Sequence, residues 1–283
     1  MLYLPGNNPS MLLRGYLYKP DGLVIDLEDS VPMTEKDAAR ILVREALNSG
    51  SFGECEVTVR INGLDTEHWR KDVAEVVPRG ASVRVPKVDV PQTVRDLDEE
   101  ISRVESESGI LSGSTKIFCL LETALGIWNA YDIAKASPRV TAIIPGGEDL
   151  AADFRTSRSK DGTELEWTRR MLIIAARAAG VDALDTVYPY VTDGDGLRRE
   201  VSFIKQLGFD GKSVIHPSQI EIIHEIYAPT EREIETARRI VAAASEAASR
   251  GIVAISMDGR MIDAPVIRRA EFTLMRAGGV WDS

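Results

Sequence analysis

The sequence predicts an α/β protein: a (β/α)8 TIM barrel followed by a C-terminal helix–hairpin–helix extension. Three observations support this fold class. Short apolar segments typical of strands recur eight times and alternate with helical patterns. Most of these segments are continuously apolar, as expected for parallel strands buried on both faces. After residue 229 the alternation stops, so the last part of the chain lies outside the barrel repeat.

The strands are predicted where β-branched and other apolar residues cluster between turn signals. The predicted strands are Leu2–Pro5, Gly22–Glu28, Glu56–Asn62, Ser82–Val88, Lys116–Glu122, Thr141–Pro145, Ala183–Tyr188 and Lys212–His216. An open doubly wound sheet is the alternative architecture. The first strand is not followed by the glycine fingerprint of a dinucleotide-binding fold, which favours the closed barrel.

Helices are predicted between the strands from the 3.6-residue period and from their stop signals. The clearest are Thr34–Asn48, Pro91–Glu107, Thr163–Ala179 and Gly196–Leu207. The third places Trp167, Met171 and Ala175 on one stripe and stops at Gly180.

The predicted domains are a catalytic barrel over residues 1–228 and an extension over residues 229–283 that acts as a lid and an oligomer contact. Thr230 and Glu233 predict a capping box that opens a helix ending near Ser249. The segment GIVAISMDGRMID predicts a hairpin that turns at Asp258-Gly259. A last helix is predicted from Pro265 to Ala277.

Composition excludes several classes of protein. The formal net charge of −10 over 283 residues argues against nucleic acid and anionic membranes as partners. No apolar stretch approaches the ~20 residues of a membrane span, and the polar Gly6-Asn7-Asn8 argues against a signal peptide. Cys55 and Cys119 are far apart in the sequence, so we expect reduced thiols in a cytoplasmic protein.

Ionisable and polar residues follow nearly every predicted strand at its carboxyl end. In a barrel these ends meet at one rim, where active sites form. The residues at this rim are Asp26, Glu28 and Asp29 after strand two, Arg60 and Asn62 after strand three, Lys87 after strand four, Glu122 after strand five, Glu148 and Asp149 after strand six, Tyr188 after strand seven and His216 after strand eight.

Carboxylates outnumber cations at this rim, so a divalent cation is the economical explanation. Glu122 and Asp149 follow neighbouring strands and would provide two oxygen ligands, with substrate and water completing the octahedral shell of Mg²⁺. No HExxH motif or Cys/His cluster indicates zinc. The alternative for both carboxylates is N-capping of the helices that follow.

Four other residues have a structural and a chemical interpretation. Arg60 is a candidate clamp for a substrate carboxylate or an enolate oxygen, or a salt-bridge partner of a rim acid. Lys87 is a weak candidate for a Schiff base. His216 is expected to make a structural hydrogen bond, and Asp263 to cap the last helix.

A set of motifs distributed along the chain indicates a family. The segments are YLPGNNPSML, LVIDLEDSVPMTEKDAAR, VRINGLDT, VPKVD, LLETALGIWNA, PGGEDLAADF, LGFDGKSVIHPSQI and GRMIDAPVIRRAE. In this order they resemble the HpcH-HpaI aldolase–citrate lyase family of CoA-ester lyases over essentially the whole chain. The opening PGNNP looks most like the citrate lyase β-subunit branch.

The resemblance implies a (β/α)8 barrel and a Mg²⁺-dependent carbon–carbon lyase. Such an enzyme cleaves a 3-hydroxyacyl thioester, carried by CoA or by an acyl-carrier protein, to an acetyl thioester and a 2-oxo acid. For a citryl thioester the 2-oxo acid is oxaloacetate. The family also implies a homotrimer or hexamer, with other lyase subunits as further partners.

The resemblance also assigns roles to residues. Glu122 and Asp149 match the metal ligands, and Arg60 matches an arginine that contacts the substrate and the enolate oxygen. Asp263 matches an acid that reaches into a neighbouring subunit's site. The substrate-binding set is Arg60, Glu122, Gly147 and Glu148. Glu28 and Asp29 lie behind the metal ligands, and Asp29 matches a position that would hold metal-bound water.

Several alternatives remain open from the sequence. Citramalyl-CoA or malyl-CoA is an alternative substrate within the same class. A metal-dependent aldolase of free 2-oxo acids would be indifferent to CoA. A non-catalytic scaffold subunit would show weak metal binding and no turnover, and burying unpaired acids without a function is costly.

Overall fold

Eight parallel strands form one curled sheet in the computed structural model, which describes residues 1–50, 52–249, 255–257 and 259–278. The strands follow each other in chain order, each hydrogen-bonded to the next. They are β1 (Leu2–Pro5), β2 (Gly22–Asp26), β3 (Glu56–Arg60), β4 (Ser82–Val85), β5 (Ile117–Leu121), β6 (Val140–Pro145), β7 (Asp182–Asp185) and β8 (Gly211–Lys212).

The two ends of the sheet are also hydrogen-bonded to each other. Leu2 forms an isolated parallel bridge with Val214, just after β8. Tyr3 N donates to Val214 O and Val214 N donates to Met1 O, each at 2.9 Å. Every residue of β2 and of β5 is buried, because side chains fill one face of the sheet and helices cover the other.

All eight predicted strands are confirmed in position, but most end earlier than predicted. The observed β2 ends at Asp26 and the observed β3 ends at Arg60. Residues such as Glu28 and Asn62 therefore lie in the loops beyond the strands, where they have more freedom to turn toward one another.

Helices lie between the strands and after the last one. They are α1 (Pro9–Arg14), α2 (Lys36–Ser49), α3 (Trp69–Val76), α4 (Pro91–Glu107), α5 (Ala124–Trp128), α6 (Ala130–Ala134), α7 (Gly147–Asp153), α8 (Glu166–Ala179), α9 (Gly194–Leu207), α10 (Ser218–Tyr227), α11 (Glu231–Ser249) and α12 (Ala264–Arg276). Four short 3-10 helices complete the helical elements, at Gly15–Tyr18, Met33–Glu35, Val77–Arg79 and Thr163–Leu165.

Of the stripe predicted on α8, only Ala175 is buried. Trp167 is 78% exposed, whereas Arg169 is fully buried and Leu172 packs inward beside it. Arg169 takes an inward position because two buried carboxylates are its partners, so a charged residue occupies the face that a hydrophobic pattern would assign to apolar ones.

Those partners form a buried ion quartet that joins two strands to two helices. Arg169 on α8 donates two 2.9 Å hydrogen bonds to Asp185 at the end of β7. Lys212 on β8 lies 2.6 Å from Asp185 and 2.7 Å from Glu200 on α9, and Glu200 also lies 2.8 Å from Arg169. The two positive and two negative groups balance each other in a place that water does not reach.

The chain divides into two compact units, Met1–Ile223 and His224–Ser283, while the sequence placed the boundary between residues 228 and 229. The second unit contains α11, α12 and a two-stranded antiparallel pair of β9 (Ile255–Met257) and β10 (Arg260–Ile262). Thr230 and Glu233 make the predicted capping box. Residues 250–254 and Asp258 of the predicted hairpin lie outside the described residues.

In the part of the chain that the structure describes, no helix combines the length and the apolar composition that crossing a membrane requires.

The ion quartet gives the first prediction. Replacing Lys212 with Met leaves Asp185 and Glu200 buried with a single cation, so we expect the free energy of unfolding to fall by about 3–5 kcal/mol. The exposed Lys135→Met serves as the control and should stay within about 0.5 kcal/mol of wild type. Urea unfolding followed by circular dichroism measures both; a loss below about 1 kcal/mol for Lys212→Met would show that the quartet is not held by its charge balance.

Candidate active site

A cavity of about 480 Å³ opens at the carboxyl ends of the strands. Residues that follow seven of the eight strands contribute to its wall, which is the arrangement expected for an active site on parallel strands. The wall includes Tyr3, Met11, Asp26, Asp29, Ser30, Arg60, Glu122, Gly146, Gly147, Glu148, Asp149, Thr186 and Ser213.

Arg60 is held by Asp26 through a bidentate pair. Asp26 and Arg60 are the last residues of β2 and β3 and lie directly opposite each other in the register of the two strands. Arg60 Nε and Nη2 each donate to Asp26 at 2.7 Å. Burial alone would raise the pKa of Asp26, but the two bonds from Arg60 hold it below its usual value.

The remaining edge of the Arg60 guanidinium faces two further acids. Its Nη1 lies 2.9 Å from Glu28 and 3.4 Å from Asp29. Lys87 Nζ approaches Glu28 from another side, at 3.0 Å. Arg60 pairs with rim acids and also lines the cavity. Its interpretation as a salt-bridge partner is therefore compatible with its interpretation as a clamp for a substrate oxygen.

Lys87 is a charged residue in an uncommon backbone conformation. Its φ of 53° is in the left-handed region, which a side chain other than glycine rarely adopts. The hydrogen bond to Glu28 raises the pKa of Lys87. A Schiff base needs a neutral amine, so this environment argues against the Schiff-base interpretation.

Glu122 follows β5 and is 1% exposed, yet neither of its carboxylate oxygens receives a hydrogen bond from a donor among the described residues. Burial, the largest cause, and the nearby carboxylates of Glu28 and Asp149 together raise the pKa of Glu122 to about 9. A buried carboxyl group without a donor is costly, so its surroundings suit a cation that the chain itself does not provide.

Neither Glu122 nor Asp149 caps a helix. Thr123 caps α5 through its side chain, and Gly146 precedes α7, with Asp149 in the first turn. The N-capping alternative is therefore wrong for both carboxylates.

Gly146 keeps room for Glu122. A Cβ at this position would lie 2.3 Å from Glu122 Cγ, closer than any real contact. The glycine pair after β6 is thus needed because β5 and β6 bring the Glu122 side chain against the backbone of the next loop.

The pair of Glu122 and Asp149 fits Mg²⁺ by the chemistry of its donors. Both are hard oxygen ligands, and Mg²⁺ is commonly held by one or two carboxylates with water or substrate in the other positions. No group of three or more acidic, histidine or cysteine residues capable of holding a metal occurs within the described ranges. The protein would thus supply two ligands and leave most of the shell to substrate and water.

The amino end of α7 is fixed by Thr186. Gly147 N donates to Thr186 Oγ1 at 3.0 Å, and the Thr186 carbonyl accepts from Lys212 of the ion quartet at 2.5 Å. Gly147 and Glu148, which the sequence assigned to substrate binding, both line the cavity. The Glu148 side chain is 61% exposed and lies 3.8 Å from Arg158.

Other predicted rim residues have local structural partners. Asn62 donates to Asp72 through its backbone and side chain, at 2.9 and 2.7 Å. His216 Nδ1 contacts the Ser218 hydroxyl at 2.8 Å, as expected for a structural hydrogen bond. Asp263, in the second unit, accepts from Val266 N at 3.3 Å and caps α12.

Three residues near the cavity received no role from the sequence: Asp26 as the partner of Arg60, Thr186 and Arg158. The signal for Asp26 was available, because an acid and an arginine end adjacent strands. Thr186 and Arg158 gave no such signal, since their positions depend on how the loops after β6 and β7 pack.

A second cavity of about 550 Å³ shares Glu122 and Asp149 with the first. Its other lining residues include Asp65, Lys87, Asp89, Thr93, Thr123 and Asp153. Glu122 and Asp149 therefore line both spaces, which suits a substrate with two parts.

Comparison with known proteins identifies the family of this chain. The family model described as HpcH/HpaI aldolase/citrate lyase matches residues 1–217. The chain belongs to this family. Citrate lyase subunit beta of Haemophilus influenzae is 46% identical over 98% of this chain and 96% of that protein. Identity at this level over nearly the full length indicates a carbon–carbon lyase.

Two further relatives broaden the comparison. A (3S)-malyl-CoA thioesterase of Cereibacter sphaeroides is 36% identical over 99% of this chain and 94% of that protein. The crystal structure of CitE from Mycobacterium tuberculosis in complex with magnesium, acetoacetate and coenzyme A superposes with a TM-score of 0.79. It is 30% identical and covers 98% of this chain and 97% of that one.

The buried carboxyl group of Glu122 predicts a pH dependence of stability in metal-free buffer. In the unfolded chain this group ionises near its usual pKa of 4.5, whereas the folded protein holds the proton up to about 9. The protonated carboxyl group of Glu122 therefore makes its full contribution to stability below pH 4.5. This contribution is lost as the pH rises to about 9. Relative to Glu122→Gln, wild type should lose about 1.4 kcal/mol per pH unit between these limits.

Urea unfolding of both proteins at pH 6, 7 and 8 with EDTA present measures this difference. Parallel stability curves for wild type and Glu122→Gln would contradict the raised pKa.

Proposed function

We propose that this chain is a Mg²⁺-dependent lyase of 3-hydroxyacyl thioesters, with a citryl thioester as substrate and an acetyl thioester and oxaloacetate as products. The observation that carries this proposal is the buried, donor-free Glu122 beside Asp149, at a cavity that also contains Arg60. The bonds between β1 and the segment after β8 support a closed (β/α)8 barrel as its scaffold.

Glu122 and Asp149 would hold the cation. When bound, Mg²⁺ supplies Lewis acidity that polarises the oxygens of the 2-oxo acid. The magnesium in the related CitE structure supports this assignment. The donor-free oxygens of Glu122 support it independently of any relative.

Arg60 would bind the thioester oxygen on which negative charge develops. Cleavage breaks the bond between the acetyl carbon and the carbinol carbon, while the carbinol hydroxyl loses its proton. The acetyl carbon carries the electron pair as an enolate and then gains a proton. Arg60 enters this reaction already oriented, because Asp26 fixes two of its nitrogens, and a preorganised cation stabilises an oxyanion without moving.

Glu28 and Asp29 would orient water at the metal-holding pair, since both lie against Arg60 at the rim. Asp263 would move the proton between the substrate and solvent. In our proposal it does so in the site of a second copy of the chain, within a homotrimer or hexamer. The β subunit named in the relatives makes further lyase subunits candidate partners.

The two cavities that Glu122 and Asp149 both line favour a thioester over a free 2-oxo acid. One space would hold the oxo acid and the other the start of the acyl carrier arm. CoA or an acyl-carrier protein would each present such an arm.

The metal-holding pair predicts the outcome of conservative substitutions. Glu122→Gln and Asp149→Asn each remove one anionic ligand, so we expect both to lower cleavage of citryl-CoA at least about 100-fold and to weaken Mn²⁺ binding about 10- to 100-fold. Glu166→Gln, an exposed change on α8, is the matched control and should behave as wild type. Full activity in either ligand variant would exclude the metal assignment. Release of acetyl-CoA, free CoA and oxaloacetate should be followed together, so that hydrolysis of the thioester is also detected.

Gly146 predicts a steric effect on the same pair. In Gly146→Ala the added methyl would collide with Glu122 Cγ, so we expect loss of Mn²⁺ affinity and of activity while the protein remains folded. Gly194→Ala is the control, because its methyl would meet nothing closer than 3.5 Å. Electron paramagnetic resonance with Mn²⁺ measures the affinity. Equal affinities in the two variants would show that Glu122 does not depend on the space at Gly146.

A further inference from the structure

A buried arginine adjoins the cavity wall without hydrogen-bond partners. The Arg158 side chain is 6% exposed, and none of its three guanidinium nitrogens makes a hydrogen bond within the described part of the chain. Its Nε lies 3.0 Å from Glu164, and its Nη1 lies 3.8 Å from the largely exposed Glu148. Glu164 already accepts from the backbone and the hydroxyl of Ser159. The two terminal nitrogens of Arg158 thus have the capacity to donate to an anion.

Arg158 and Thr186 converge on the same point of the wall. A Cβ on Gly147 would lie 1.9 Å from Arg158 Nη1 and 2.9 Å from Thr186 Oγ1. Thr186 and Gly147 both line the 480 Å³ cavity. Because residue 147 has no side chain, the guanidinium occupies the space directly beside the cavity wall.

Thr186 adds a hydroxyl donor at this point. Its Oγ1 accepts the hydrogen bond from Gly147 N, so the hydroxyl hydrogen must be directed elsewhere. Its acceptor is not among the hydrogen bonds made by the described residues. The Lys212 bond to the Thr186 carbonyl fixes the residue, so the hydroxyl remains at the wall.

The chemistry of these two residues matches a carboxylate. A guanidinium presents two parallel N–H groups to the two oxygens of a carboxylate, and a hydroxyl adds a third donor. A buried guanidinium whose N–H groups are unpaired is costly, and an anionic ligand removes that cost.

We propose that Arg158 and Thr186 form a subsite for a second carboxylate of the substrate, distinct from the groups held by the cation and by Arg60. This inference rests on the lyase function proposed above and deepens it. It assigns to the chain thioesters whose cleavage releases a dicarboxylic 2-oxo acid, such as citryl-CoA. Thioesters that release a monocarboxylic one, such as citramalyl-CoA, lack the group that the subsite binds.

The experiment compares the two thioesters. The selectivity of an enzyme is its kcat/KM for citryl-CoA divided by that for citramalyl-CoA. We expect wild type to favour citryl-CoA and Arg158→Met to lower this ratio about 10- to 100-fold, the loss typical of a hydrogen bond to a charged group. Thr186→Val should lower the ratio about 10-fold, and Thr186→Ser, which keeps the hydroxyl, should restore it. Arg170→Met, an exposed change on α8, is the control.

A binding measurement separates this inference from the lyase proposal. With Mg²⁺ present, titration calorimetry should show that wild type binds oxaloacetate at least about 10-fold more tightly than pyruvate, and that Thr186→Val narrows the difference. Equal affinities of wild type for oxaloacetate and pyruvate would overturn the subsite. An equal fall in kcat/KM for both thioesters in Arg158→Met and Thr186→Val would also overturn it. Failure of wild type to cleave either thioester would instead reject a lyase of CoA thioesters, and the calorimetry would still decide the subsite. If Arg158→Met does not fold, the kcat/KM ratios and affinities of the Thr186 variants decide whether the subsite exists.

Discussion

The pairing of Asp26 with Arg60 is the interaction on which the candidate site depends. It joins the last residues of two adjacent strands, and it places one guanidinium among three carboxylates. Without that cation, the carboxylates of Asp26 and Glu28 would repel each other and could not remain buried at the rim. The pairing also explains why the surroundings of Glu122 differ from those of the acids that pair with Arg60. Arg60 is occupied by the β2 acids, so the carboxylate after β5 has no donor among the described residues, and its surroundings suit a cation from outside the chain.

Buried ion pairs beneath the rim also fix the backbone on the other side of the cavity. Lys212 pairs with Asp185 and Glu200 and also donates to the carbonyl of Thr186, whose hydroxyl holds the amino end of α7. Lys36 acts in the same way on the β2 side, donating to the carbonyls of Leu27 and Glu28 at 2.7 and 2.6 Å. Such ion pairs add little net stability compared with apolar packing, but they fix geometry. The backbone that carries the site is thereby held from both flanks.

Much of this architecture was predictable, because it depends on patterns that repeat along the chain. Continuous apolar runs located all eight strands, and the polar residues after them located the rim. The prediction failed where pairing decides which side chain faces inward. Arg169 is buried on α8 while Trp167 is exposed, because two carboxylates on distant elements are the partners of the arginine. Thr186 and Arg158 were missed for the same reason: their significance comes from loops that meet at Gly147, and no local pattern records such a meeting.

Two buried side chains of opposite charge are Glu122, which lines the cavity, and Arg158, which lies next to Gly147 of the cavity wall. Among the described residues, the Glu122 oxygens receive no hydrogen bond and the terminal nitrogens of Arg158 donate none. A divalent cation alone would satisfy only the carboxylate, and a monocarboxylic 2-oxo acid would reach only the cation. A dicarboxylic 2-oxo acid bound to a divalent cation would satisfy both groups at once, which is why we propose that the site is completed by such a complex.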